Sequence, residues 1–290
     1  MELHIIISFS LLSKKLTCTI KPFEPMPIDV YVQQSMKFCV DNRIGLCEIK
    51  QRVDQLLAKV NELCGVSIVN YLAQAMRLLR QTSIRMLSFQ NDLDEDFLEY
   101  VFSLIPTCEN ITIYSDVSNT AQRRILAKYG STTKHLSFYS IPPAGLKEKI
   151  VTQNLDFLSV HEGRMNLDQL LMANCSSLGA VNLDLKTLNK FFKLWIQNKT
   201  SPRLEYMLTE TLKFLDLKVV LAGIQYTEVS WDTVRTFKHS KKAIESDDWL
   251  VMTDTVEVCG GYDFRRRDGT CATISNRVGW RLEFFVWAHN

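Results

Sequence analysis

The sequence predicts an α/β fold: a short leucine-rich-repeat-like solenoid of parallel strands and helices, with a C-terminal antiparallel β cap and a small helical N-terminal segment. Three observations carry that prediction. Six apolar words recur along the chain: IRMLSF (84–89), ENITI (109–113), KHLSF (134–138), LDFLSV (155–160), LGAVNL (178–183) and RLEYML (203–208). Aligned on Leu87, Ile111, Leu136, Leu158, Val181 and Met207, they step by 24, 25, 22, 23 and 26 residues, the period of a solenoid with one strand and one helix per turn. Helical patterns fill the intervals, and from about residue 213 the pattern changes to alternating runs broken by glycine turns. A solenoid presents an extended surface for holding a partner, not a pocket for chemistry.

Residues 1–21 read as a broken apolar helix closed by Lys21-Pro22. Ile5 to Ile7, Phe9, Leu11 and Leu12 form its apolar run. Glu2 stands where a signal peptide needs a basic region, and Lys14 and Lys15 stand where it needs a small-residue cleavage site. The run is also too short to span a bilayer. Pro22, Pro25 and Pro27 mark a linker. Alternation of Ile28, Val30 and Val32, then of Met36, Phe38 and Val40, predicts two short strands around Gln33-Gln34-Ser35. Ile49, Val53, Leu56, Leu57, Val60 and Leu63 keep to one helical face, ended by Gly65. A second helical stretch carries Ile68, Leu72, Ala75, Met76 and Leu79.

Within the repeats, Asp92 and Asp94 suit the positive end of a helix whose buried stripe is Phe97, Leu98, Val101 and Ile105. Ser118 or Asn119 caps the next helix, which carries Ala121, Ile125 and Tyr129 and stops at Gly130. Pro142 and Pro143 suit the first turn of the one after, where a missing N–H costs little. Leu188, Phe191, Phe192 and Trp195 fall at i, i+3, i+4 and i+7, one face of a helix. Asn198 stands where a left-handed stop is needed, Pro202 forbids continuation, and Arg203 begins the next strand. Beyond 213, Val219 to Ile224, Val256/Val258, Tyr262/Phe264, Ala272/Ile274 and Leu282/Phe284/Val286 read as strands, separated by Gly260-Gly261 and Asp268-Gly269.

Composition narrows the function classes. Hydrophobic content of 46% and charged content of 23% are those of an ordinary folded chain. Lys+Arg of 34 against Asp+Glu of 32 leaves +2, too near neutral to argue for nucleic acid or an anionic membrane. Eight cysteines, none spaced as CxxC, read as buried free thiols of a reducing compartment. The sequons at Asn110, Asn174 and Asn198 are then chance matches.

The run LDQLLMANCSSLGAVNLDLKTLNKFFKLWIQNKTSPRLEYM (167–207) resembles the type-2 F-box-associated domain of nematode F-box proteins. That family has an LLxxN helix, a strand, and then LNxFLKxWIxGSNPRLExL. The matching positions here are Leu170, Leu171, Asn174, Leu188, Asn189, Phe191, Lys193, Trp195, Ile196, Pro202, Arg203, Leu204 and Glu205. The tail GGYDFRRRDGTCATI (260–274) and the FFVWAH ending (284–289) are similar to the family's C-terminal hairpin. The match is closest over 155–210. ISFSLLSKK (7–15) resembles the second half of an F-box whose first half is missing here.

The resemblance implies four parts: a partial F-box remnant (1–22), a connector with two strands and a helix (23–66), the repeat array (67–212) and a β unit (213–290). It also implies a non-catalytic, intracellular substrate-recognition subunit, cytoplasmic or nuclear, of a cullin-based ubiquitin ligase. Its partners would be a Skp-type adaptor, if the F-box is completed upstream, and an unknown target protein, with no nucleic acid, membrane or cofactor. The adaptor would be met by Ile7, Phe9, Leu11 and Leu12. A plain interaction module, or a truncated decoy that does not engage the ligase, is the alternative.

Exposed strand residues on the concave face or the following loops are the expected target contacts: Ser88, Gln90, Thr112, Ser137 and Ser159. The five histidines are scattered, and no nucleophile elbow, P-loop or metal-ligand spacing occurs. His161-Glu162 reads as a solvated turn. Arg265, Arg266 and Arg267 are flanked by Asp263 and Asp268, and strand alternation splits them between two faces, which argues against a nucleic-acid stripe. Trp195 reads as a core anchor, because a large aromatic on an apolar helix face packs inward.

Overall fold

The computed structural model describes residues 28–32, 37–40 and 84–287, apart from 91–92, 94, 144, 201–202, 212–214 and 241–254. The readings placed on 1–22, on the helices at 49–63 and 68–79, and on Asp92, Asp94 and Pro202 lie outside the described residues. The chain divides into two units, Met1–Thr133 and Lys134–Asn290. No described helix is long and apolar enough to cross a membrane.

In the first unit, the two expected strands, β1 (Ile28–Val32) and β2 (Lys37–Val40), form an antiparallel pair. β1 also pairs in parallel with β3 (Ile84–Phe89), which in turn pairs in parallel with β4 (Cys108–Ile113). Leu87 lies opposite Ile111, as the repeat alignment requires. Two helices follow β3 and β4: α1 (Glu95–Leu104), with Glu95 and Asp96 in its first turn, and α2 (Asn119–Tyr129). Ser118 is the N-cap of α2, its Oγ accepting from the Ala121 N–H, and the helix ends at Gly130. Leu98, Val101, Ile105, Ile125 and Tyr129 are buried, as are Leu87, Phe89, Ile111 and Ile113, and the Tyr129 and Phe89 ring centres lie 6.3 Å apart. The buried Tyr129 hydroxyl donates to the Ile105 carbonyl at 2.8 Å, and burial raises its phenol above the ordinary value.

The second unit has four parallel strands with helices between them. These are β5 (His135–Phe138), α3 (Leu146–Val151), β6 (Leu155–Val160), α4 (Leu167–Met172), β7 (Cys175–Val181), α5 (Leu185–Ile196) and β8 (Tyr206–Glu210). A short helix α6 (Leu217–Val220) leads to β9 (Thr227–Lys238), β10 (Thr255–Arg265), β11 (Cys271–Val278) and β12 (Arg281–Val286). The sheet runs β5-β6-β7-β8-β12-β11-β10-β9, and every pairing from β8 onward is antiparallel.

Several expectations change in place. Val219–Ile224 is not a strand: Asp216 caps α6 by accepting from the Lys218 N–H, and a turn follows. Pro142 and Pro143 precede α3, whose N-cap is Gly145. Gly260-Gly261 lies inside β10 instead of separating strands, whereas the Asp268-Gly269 turn does join β10 to β11. Leu178, not Val181, is the residue in register with Leu158 and Met207. Three residues is an odd offset, so the aligned Val181 lies on the other face of the strand. The true row is Leu136, Leu158, Leu178, Met207, Phe284 and Ile274, and it runs without a break from parallel into antiparallel strands.

Helix α5 closes over that row. Leu188, Phe191, Phe192 and Trp195 are all buried. Trp195 meets Phe284 edge-on at 5.3 Å and Phe264 at 5.7 Å, and the Arg266 guanidinium lies 5.1 Å from its ring centre. Arg266 is held there by Asp268 at 2.9 Å, so the arginine run has a packing role at its centre. Asn198 has φ 61, the left-handed stop expected of it.

The other face of this sheet is also filled. Phe157, Tyr206, Leu208 and Phe285 form a buried cluster with Phe237 of β9 and Val258 of β10, and Val256 and Trp287 pack against it. In a flat sheet β9 would stand three spacings from β12, roughly 14 Å. Yet the Phe237 and Phe285 rings are 5.2 Å apart. The β9–β10 hairpin therefore rolls back over the sheet. The bend coincides with a register shift between Cys259 and Gly261. Gly261 has φ 118, and a Cβ there would lie 2.6 Å from the Ile274 carbonyl oxygen.

Trp195→Ala should destabilise the protein by about 4 kcal/mol in urea unfolding, since it leaves a large cavity beside Phe264 and Phe284. Gly261→Ala should cost about 3 kcal/mol in the same assay, because its Cβ would meet the Ile274 carbonyl.

Candidate recognition surface

The strand residues singled out for exposure are not exposed. Ser88, Thr112, Ser137 and Ser159 are buried, and only Gln90, just past β3, is partly accessible. Each of the four is the last residue but one of its strand and has neighbours in register: Ser88 opposite Thr112 in the first unit, Ser137 opposite Ser159 in the second, and Ser159 opposite Gly179. Short side chains placed there do not rise above the flanking strands. Ile7, Phe9, Leu11 and Leu12 lie outside the described residues.

The residues of the 167–207 motif turn out to be architectural. The Asn189 amide donates to the Val220 carbonyl at 2.8 Å and the Ala222 carbonyl at 2.9 Å, tying α5 to the end of α6. Arg203 donates to the Asn174 carbonyl at 3.0 Å, reaches Asp156 at 3.4 Å and also bonds Asn154. It thereby clamps the starts of β6, β7 and β8. The Glu205 carboxylate accepts from the Ser240 hydroxyl at 2.6 Å and from its N–H at 3.2 Å, which fastens the end of the rolled-back hairpin to β8.

A second clamp holds the same hairpin. Arg235 of β9 grips both oxygens of Asp263, at 2.8 and 3.1 Å, and its guanidinium stacks 4.8 Å from the centre of the Trp287 ring. The Thr273 hydroxyl donates to Asp263 at 2.6 Å while accepting from the Trp287 indole at 2.7 Å and from Arg235 at 3.1 Å. The donors and acceptors match, so this polar network locks the roll.

Both faces of the second unit's sheet are packed around β6, β8 and β12, whereas the C-terminal ends of its parallel strands carry a separate group of accessible side chains. Tyr139 follows β5 and His161 follows β6. Their rings stack at 4.0 Å with an interplanar angle of 1°. The His161 N–H bonds the Phe138 carbonyl at 2.7 Å, and its Nε2 lies 2.9 Å from the Ser159 hydroxyl. The residue read as a solvated turn is thus half-buried and rigidly placed. Ser159 is 1 % exposed, so the pair orients a ring and does not present a nucleophile. Ile141, 63 % exposed, rests against Gly163 beside the stack.

Further along the same edge, the β11–β12 turn docks on the end of β8. The Thr211 N–H bonds the Trp280 carbonyl at 2.8 Å, and the Trp280 side chain stands 51 % exposed. From β5 to β12 is four strand spacings, roughly 19 Å. Sequence reasoning set His161 aside as a solvated turn and did not single out Tyr139, Ile141 or Trp280. Their signal was position: each follows a strand or fills a turn.

Cys108, Cys175, Cys259 and Cys271 are thiols outside any disulfide. Burial pushes the Cys175 thiol up to about 12, which makes it a poor nucleophile. Among the described residues no group of His, Cys, Asp or Glu side chains is placed to hold a metal ion.

No curated protein and no solved structure matches the chain significantly. Residues 148–208, from within α3 into β8, match the family model described as F-box associated.

Proposed function

We propose that this chain is a non-catalytic, intracellular substrate-recognition subunit of a cullin-type ubiquitin ligase, holding target proteins along the C-terminal edge of its parallel strands. The successive β/α turns of its second unit act as a short leucine-rich-like array. The single observation that carries the reading is the pairing of an F-box associated domain with a rigid, partly apolar strand edge. Tyr139, His161, Ile141 and Trp280 offer amphipathic rings and a branched aliphatic side chain on ordered backbone, the composition of an interface centre. Loop residues at the strand ends can vary without disturbing the buried cluster on the sheet's face. The Skp-type adaptor is the second partner, met through Ile7, Phe9, Leu11 and Leu12.

Two measurements test this. The chain, and a version extended upstream, should capture a purified Skp adaptor in a pull-down; failure of both sinks the ligase role. Quantitative affinity purification from cells should identify targets whose recovery falls at least tenfold with Ile141→Asp or Trp280→Ala, with the thermal midpoint unchanged. Targets indifferent to both substitutions would place recognition elsewhere.

A further inference from the structure

A cleft of about 680 Å³ opens between the end of α5, the connection from α6 to β9, and the β10–β11 pair. That volume is in the range of ligand-binding clefts. Its lining is mixed: Phe264 and Ile224 are buried, Tyr226 is half-exposed, and Lys193 and Arg265 bring two positive charges. Asp263 also borders it, but both its carboxylate oxygens are taken by Arg235. Its charge is thereby cancelled from outside the cleft, and the two cations are left in excess.

Lys193 belongs to the motif of α5, yet its ammonium has no role in holding the fold. It makes no hydrogen bond or ion pair among the described residues. It lies over Gly223, where a Cβ would stand 3.2 Å from Nζ; the backbone there has φ 68. The turn after α6 thus leaves room for the ammonium at the wall of the cleft. Arg265 spends one Nη on the Gly269 carbonyl at 3.2 Å, which orients the guanidinium and leaves other N–H groups to donate. Tyr226 is set edge-on against Tyr262 at 5.3 Å, a fixed aromatic wall beside the charges.

We propose that this cleft binds an anionic side chain of a peptide, carboxylate or phosphate, between Lys193 and Arg265, with the adjoining apolar residue of that peptide against Phe264, Ile224 and Tyr226. The site is separate from the strand edge and does not depend on the ligase reading. Fluorescence anisotropy with the full chain tests it, using three labelled heptapeptides in which leucine alternates with glutamate, with phosphoserine or with glutamine. The glutamate or the phosphoserine peptide should bind saturably, the stronger of the two naming the anion, and the glutamine peptide should not. Lys193→Met and Arg265→Gln should each weaken binding about tenfold at unchanged thermal midpoint, and Lys193→Glu should abolish it. Equal binding of the glutamine peptide, no binding of either anionic peptide, or binding untouched by these substitutions overturns the assignment.

Discussion

The second unit depends on keeping one row of side chains dry. Leu136, Leu158, Leu178, Met207, Phe284 and Ile274 cross strands of both senses in continuous register, and α5 covers the row with Leu188, Phe191, Phe192 and Trp195. Each such side chain removed from water contributes about 1.5–3 kcal/mol, and none can be withdrawn without exposing its neighbours. The row explains why the C-terminal strands extend the sheet. β12 continues the apolar line that β8 would otherwise leave open, and its backbone pairs with the groups β8 would otherwise leave exposed.

A second constraint follows from the first. Helices cover one side of the sheet, and β8 and β12 carry Tyr206, Leu208 and Phe285 on the other, an apolar surface too large to leave in water. The fold meets this with a bend at Gly260-Gly261 that brings Phe237 and Val256 back over the cluster, held by Arg235–Asp263 and by Glu205–Ser240. That face of the second unit's sheet is thereby part of the core around β6, β8 and β12.

The motif residues illustrate how a family signature and a binding site differ. Asn189, Arg203 and Glu205 look like functional polar residues in the sequence, but each satisfies a backbone or hydrogen-bonding demand made by a distant segment: the end of α6, the starts of β6 and β7, the end of β9. Trp195 was legible as a core residue because helical spacing alone fixes its face. Ser88, Thr112, Ser137 and Ser159 misled because polarity within a strand suggests solvent, whereas small hydroxyl side chains also fit where strands crowd together. Tyr139, Ile141 and Trp280 were invisible because a loop has no periodicity to report which way its side chains point.

Local patterning in the sequence determined the β/α alternation of the middle of the chain, the helix faces, the stop at Asn198 and the turn at Asp268-Gly269, and narrowed one N-cap to Ser118 or Asn119. Each of these is settled by residues within a few positions of one another. Only the tertiary structure decided that β1 joins β3, that Leu178 and not Val181 continues the apolar row, and that β9 folds back across β12. Those outcomes turn on strand register and sheet curvature. Both are set by contacts between segments far apart in the chain, and a one-residue difference in either moves a side chain from one face to the other.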